Sequence, residues 1–215
     1  MIYFLDTPTL IIPFIITAIL AFAYHELAHA LVADRLGDPT PRSYGRISLN
    51  PVVHLDRFGT ILLLLVGFGW ATTPVNPMRL RGNPRQSMAV VAVAGPAANL
   101  IMAFLWGLPL RLGLVEPDST QLLSSLVMEM LQVGVWINVL LLAFNLMPIP
   151  PLDGFTILVG ILPPELAYQL NQLRQYGTTI LMLVIMAAFI LPGNLFFDIV
   201  IGPVQRVLIP LLTGS

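Results

Sequence analysis

The chain has 215 residues, 57% of them hydrophobic and only 10% charged, with a mean hydropathy of +0.87. A soluble domain carries roughly 25% charged residues, so this composition excludes an ordinary water-soluble enzyme and points to a protein dissolved in lipid. Its net charge of −1 offers no electrostatic basis for binding nucleic acid or an anionic surface.

The first apolar run, about Thr9 to Ala33, is too long for a signal-peptide core and has no basic start, so it is expected to stay as a membrane span. Ile61 to Ala71 is too short to span and suggests a re-entrant or interfacial piece. Ser87 to Leu110 reads as a span, followed by a polar link from Arg111 to Thr120. Leu122 to Leu146 spans again and ends at Pro148, Pro150 and Pro151. Thr178 to Leu191 begins another helix, interrupted at Pro192-Gly193-Asn194, and Phe196 to Leu212 reads either as a span or as a surface helix. The expected fold is an all-α polytopic membrane protein with about four to six membrane segments. Ser43 to Leu49 alternates loosely, and with Ala71 to Val75 it suggests a small β-hairpin or sheet near one membrane face; a solvated loop is the stronger reading of either segment alone.

All ten basic residues are arginine. Arg35, Arg42, Arg46, Arg57, Arg79, Arg81, Arg85 and Arg174 fall in loops that share one side, leaving Arg111 and Arg206 opposite. The positive-inside rule makes the richer side cytoplasmic and puts the N-terminus outside.

Inside the first span lies His25-Glu26-Leu27-Ala28-His29. Helical residues four apart share a face, so His25 and His29 can offer two imidazole nitrogens to one metal. Glu26, one step round the helix, is placed to take a proton from water activated by that metal. Counting about 1.5 Å per residue from Leu10, His25 lies roughly 22 Å into a core about 30 Å thick, near the cytoplasmic face. Ionisable groups at such depth are costly unless they bind something. With no cysteine in the chain, any metal is held by nitrogen and oxygen.

A catalytic zinc usually takes three protein ligands and keeps a fourth position for water. His54 is one candidate for the third, but it sits in a loop beside Asp56 and Arg57, where a hydrogen-bonded surface histidine is at least as good a reading. Asp153 is the better candidate. It follows the proline cluster that stops the preceding helix, and bent backbone near membrane depth is tolerated only in buried or wet sites, where an acid needs a cation. Asn99 and Asn145 are candidate oxyanion or substrate-positioning donors, with interhelical hydrogen bonding an equal alternative for each. Gly95 and Pro96 suit close packing and a local kink.

His25-Glu26-Leu27-Ala28-His29, then Gly95-Pro96-Ala97-Ala98-Asn99, then Asn145 through Leu152-Asp153-Gly154 resemble, in order and spacing, the site-2 protease family of intramembrane metalloproteases. Gly45-Arg46-Ile47-Ser48-Leu49-Asn50-Pro51, with His54 and Asp56 beyond, looks like the short bacterial and archaeal branch without a PDZ or CBS module. The resemblance implies one zinc per chain bound by His25, His29 and Asp153, and Glu26 as catalytic base. It also implies regulated cleavage of membrane-protein substrates within or near a transmembrane segment, in a prokaryotic cell membrane. The chain is then expected to be a single intramembrane metalloprotease domain, with its catalytic core at about 9–160 and C-terminal helices at about 178–212. A homo-oligomer or a regulatory membrane partner is compatible with this. The rival class is a membrane metal carrier or a proteolytically silent binder. A carrier needs polar sites staggered along a path, whereas here the candidate ligands converge and Glu26 has no evident purpose except proton transfer.

Overall fold

The computed structural model describes residues 8–67, 69–115, 122–190 and 197–214. Helix α1 covers Ile11–Arg35, α2 Arg57–Val66, α3 Pro84–Arg111, α4 Leu122–Asn145, α5 Asp153–Ile161, α6 Pro164–Asn171, α7 Gly177–Ile190 and α8 Gly202–Thr213. Among the described residues α1, α3 and α4 are long and apolar enough to cross a membrane. The chain is an all-α integral membrane protein.

Local chemistry explains where these helices begin. Pro13 sits in the first turn of α1, where amides have no intrahelical acceptor to lose. Asn83 caps α3 by accepting from the amides of Arg85 and Gln86, with Pro84 at the first helical position. Asp56 caps α2 through the Gly59 amide.

Helix α3 is the hub. It packs most extensively against α4, then against α1 and α5, and α1 also packs on α4. The buried face of α1 carries Ala18, Ala21, Ala30 and Ala33, and α3 presents Ala89, Ala92 and Ala103. In lipid no hydrophobic force drives helices together, so small residues that let backbones approach, and polar pairs across the seam, provide the association. Large apolar side chains lie outside: Ile12 and Ile16 on α1, and Val90, Val93, Ile101, Phe104 and Leu105 on α3, are exposed toward where lipid would be.

One end of this three-helix core gathers the arginine-rich connectors. The amide of Arg81 donates to the Leu36 carbonyl just past α1, and Arg85 on α3 donates to the carbonyls of Val159 and Leu162 at the end of α5. Arg174 donates to the Thr156 hydroxyl of α5 and stacks over the Phe155 ring. Arg111, at the other end of α3, donates to the Leu211 carbonyl of α8.

The expected pairing of Ser43–Leu49 with Ala71–Val75 is not made. Ser43 closes a single helical turn over Thr40–Ser43, the chain reverses at Gly45, and the Arg46 amide returns to the Pro41 carbonyl. The Ser48 carbonyl is taken by His54, so this segment spends its hydrogen bonds locally. Ala71 instead bridges Leu55 in antiparallel sense, and among the described residues no longer strand forms. The re-entrant or interfacial piece expected at Ile61–Ala71 is helical only in its first part: α2 runs from Arg57 to Val66 and is capped by Gly67. Helices α5 and α6 have no counterpart in the sequence reading: each is a short run that starts at or just after a proline, without the length that marks a span. Helix α7, at 14 residues, reaches about 21 Å, short of a core about 30 Å thick. The break expected at Pro192-Gly193-Asn194 lies outside the described residues.

Candidate metal centre

Helix α1 carries His25, Glu26 and His29 as buried residues, and the two histidines meet Val91, Gly95 and Asn99 of α3. The chain returns to them through the turn after α4. There Leu146 and Met147 extend hydrogen bonding back to Leu142 and Phe144, and Leu152 closes on the Ile149 carbonyl. Asp153 then opens α5. This return depends on Gly154, because a Cβ there would collide with the carbonyls of Leu146 and Met147. Only a residue without a side chain lets α5 start against the turn that feeds it.

His25 Nε2 and His29 Nε2 stand 3.0 Å apart, and Asp153 Oδ2 lies 3.1 Å from the first and 3.2 Å from the second. Among the described residues these three side chains form a cluster able to hold a metal ion. The ring orientations add a chemical argument. His29 Nδ1 lies 2.8 Å from the Val91 carbonyl, and His25 Nδ1 lies 2.6 Å from Asn99 Oδ1. Both partners accept, so both Nδ1 atoms donate and both Nε2 atoms are left as bare lone pairs. Asp153 Oδ2 is buried with no hydrogen-bond partner of its own. Three lone pairs converging on one point repel one another unless a cation sits between them.

Their spacing also fits. Nitrogen and oxygen ligands about 2.0–2.1 Å from a tetrahedral zinc stand roughly 3.3 Å from one another, close to the edges of this triangle. Gly95 on α3 packs against the open side, and a Cβ at that position would run into both imidazoles. Its missing side chain keeps the space the two rings need.

The remaining candidates fall in different places. His54 is buried rather than on the surface, in the 3-10 turn Pro51–His54 packed on α1, and its Nε2 donates to the Ser48 carbonyl at 2.8 Å. It lies outside the cluster. Asn99 directs its amide hydrogens to Asn138 Oδ1 at 3.0 Å and the Ala21 carbonyl at 3.4 Å. Asn145 sends one to the Leu141 carbonyl at 3.0 Å.

Thr73 was not singled out by sequence, and its hydroxyl donates to the Glu26 carbonyl at 3.0 Å. It holds the connector 69–76 across α1 beside the cluster. A lone threonine in a loop carries no periodic signal, and only the fold brings it to Glu26.

A family model described as peptidase family M50 matches residues 109–191, a stretch that includes Asn145 and Asp153. The candidate zinc metalloprotease YwhC of Bacillus subtilis is 42% identical over 177 residues, covering 81% of this chain and 80% of that protein. The chain belongs to peptidase family M50. More distant M50 relatives, both candidate zinc metalloproteases named Rip2, come from Mycolicibacterium smegmatis, 28% identical over 186 residues, and Mycobacterium tuberculosis, 27% identical over 193 residues. Each comparison covers 85% of this chain and 69% of the relative. No solved structure matches. Among the features assembled above, the M50 chain thus combines a cluster able to hold a metal, a neighbouring glutamate and an α-helical membrane core.

Proposed function

We propose that this M50 peptidase is a zinc-dependent intramembrane endopeptidase. It hydrolyses peptide bonds within or near transmembrane segments of membrane proteins, as in regulated intramembrane proteolysis. The observation that carries the reading is the convergence of His25 Nε2, His29 Nε2 and Asp153 Oδ2 within 3.2 Å of one another, with both histidines on a helix of membrane-spanning length that also carries Glu26. The names of YwhC and Rip2 as candidate zinc metalloproteases support zinc as the metal.

In this reading the three side chains hold one zinc per chain. Zinc, when bound, acidifies water toward a pKa of about 7 and polarises a carbonyl. Glu26 accepts the proton of the attacking water and delivers it to the departing amine nitrogen. Burial of Glu26 keeps that transfer away from bulk solvent. Asn145 spends one amide hydrogen on the Leu141 carbonyl, and in this reading the second meets the developing oxyanion.

A helical substrate shields its peptide bonds and must unwind before attack. In this reading the connector around Thr73, which is tied to the backbone of Glu26, is the edge along which an unwound strand hydrogen-bonds with little sequence demand. The catalytic core is residues 9–160 of a single domain. The arginine-rich end faces the cytoplasm, with the N-terminus outside. A homo-oligomer or a regulatory membrane partner would then select substrates.

The test is cleavage of a model transmembrane substrate in detergent by wild type, by Glu26→Gln, and by wild type after chelation. Cleavage by wild type alone, restored by zinc, is the expected result. Cleavage that persists in Glu26→Gln removes Glu26 as the base. One zinc per chain without any cleavage favours a binding role.

A further inference from the structure

Every proton position around His25 can be traced to a single backbone carbonyl two helices away. The Gly134 carbonyl of α4 can only accept, so Asn138 must meet it with Nδ2, at 2.8 Å. Asn138 therefore turns Oδ1 toward α3, where it accepts from Asn99 Nδ2 at 3.0 Å. Asn99 is thereby forced to present Oδ1 to α1, 2.6 Å from His25 Nδ1. Reversing either amide would set oxygen against oxygen or nitrogen against nitrogen along the line. The second Asn99 hydrogen points to the Ala21 carbonyl of α1, which locks the same orientation from the other side.

Both asparagines are fully buried, so no water substitutes for a lost partner. His29 reaches the same end by a shorter route, since its Nδ1 meets the Val91 carbonyl directly. His25 has a side-chain acceptor instead, and a side-chain amide transmits a direction only if something fixes the amide.

We infer that Asn99 and Asn138 form a positioning relay that fixes the tautomer of His25, keeping its proton on Nδ1 and its Nε2 lone pair toward the metal. The relay rests on the zinc-site reading above. It also withdraws Asn99 from contact with substrate, because both of its donor hydrogens are committed. Outer partners of metal-ligating histidines typically contribute 10–100-fold in metal affinity.

The experiment measures zinc affinity by chelator competition on the full-length protein in detergent, for wild type, Asn99→Leu and Asn138→Leu, together with thermal midpoints. Asn99→Leu is expected to bind zinc about 10–100-fold more weakly. Asn138→Leu is expected to weaken binding by a smaller factor, because Asn99 still accepts from His25 but is held less firmly. Two leucine variants that lose thermal stability yet bind zinc as wild type does overturn the relay and leave the asparagines as packing only.

A second arm needs no variant. Nitrogen NMR of the histidines in metal-free wild type, in mildly alkaline buffer, is expected to show His25 with its proton on Nδ1 before zinc is added. A proton on Nε2 overturns the proposal. Failure of wild type to bind zinc at all would sink the metal-site reading instead, and the tautomer measurement still decides the relay.

Discussion

The core of α1, α3 and α4 and the later helix α7 are both apolar, yet they are held in different ways. The core joins its helices through alanines such as Ala18, Ala21 and Ala103 and through the buried line His25–Asn99–Asn138. Among its described side chains, helix α7 has no such alanine seam or polar line, and close approach is confined to Gly177 at its start, against Pro150. It packs mainly against the turn Gln172–Tyr176, and Met182, Leu183, Met186 and Ile190 remain exposed. Apolar surface binds helices together in water, but lipid tails match a leucine as well as another helix does, so in a membrane close approach and polar pairing decide what packs. The His25–His29–Asp153 cluster sits where both devices are concentrated.

Four experiments break or sharpen this contrast. The largest effect is expected in the core from Gly95→Val, whose side chain would occupy the space of both imidazoles. Zinc content should fall from about one per chain to background while helicity by circular dichroism survives; retained stoichiometric zinc would mean the rings have another place to go. Next, Glu26→Gln should keep its zinc and lose about 10²–10⁴-fold in turnover of a model substrate, the usual contribution of a general base.

A smaller effect is expected where the core meets its arginine-rich connectors. Asp38 is fully buried and accepts from the amide and hydroxyl of Thr40 and from the amide of Asn76. Burial alone would raise its carboxyl, but the Thr40 hydroxyl, the amides of Asn76 and Thr40, and the Arg79 charge outweigh that and hold it below its ordinary 3.8. A carboxyl lowered in the folded state stabilises the protein above its unfolded value, and that stabilisation is lost as pH falls through the folded value. Asp38→Ala should therefore cost about 1–3 kcal/mol at neutral pH and flatten the acid limb of thermal midpoint against pH. An unchanged acid limb would remove Asp38 as its source. Smallest of all, truncating Met182 or Met186 of α7 to alanine should change stability by less than about 0.5 kcal/mol, as at surface positions. A large loss there would show that α7 is packed by something other than the contacts described.

Much of this architecture is readable along the chain, because the relevant signals are local. Helix α1 forms within two residues of its expected ends, α4 within one, and α3 starts three residues before its apolar run and ends one after it. The four-residue spacing of His25 and His29 puts both on one face wherever that helix lies. Helices α5 and α6 were not readable, since runs of eight or nine residues next to prolines look like loop. The expected strand pairing failed because Gly45 and His54 turn that segment on itself.

What the amino-acid sequence determined by itself was the membrane class, the long helices and the presence of a metal-suited motif, all set by composition and helical period. What only the tertiary structure decided was which side chains meet: Asp153 with the two histidines, Asn99 with His25 and Asn138, Thr73 with Glu26. Those meetings depend on the rotation and depth of one helix against another, which are set by small residues in close contact across the seam. Nothing in the 3.6-residue period of a single helix records them.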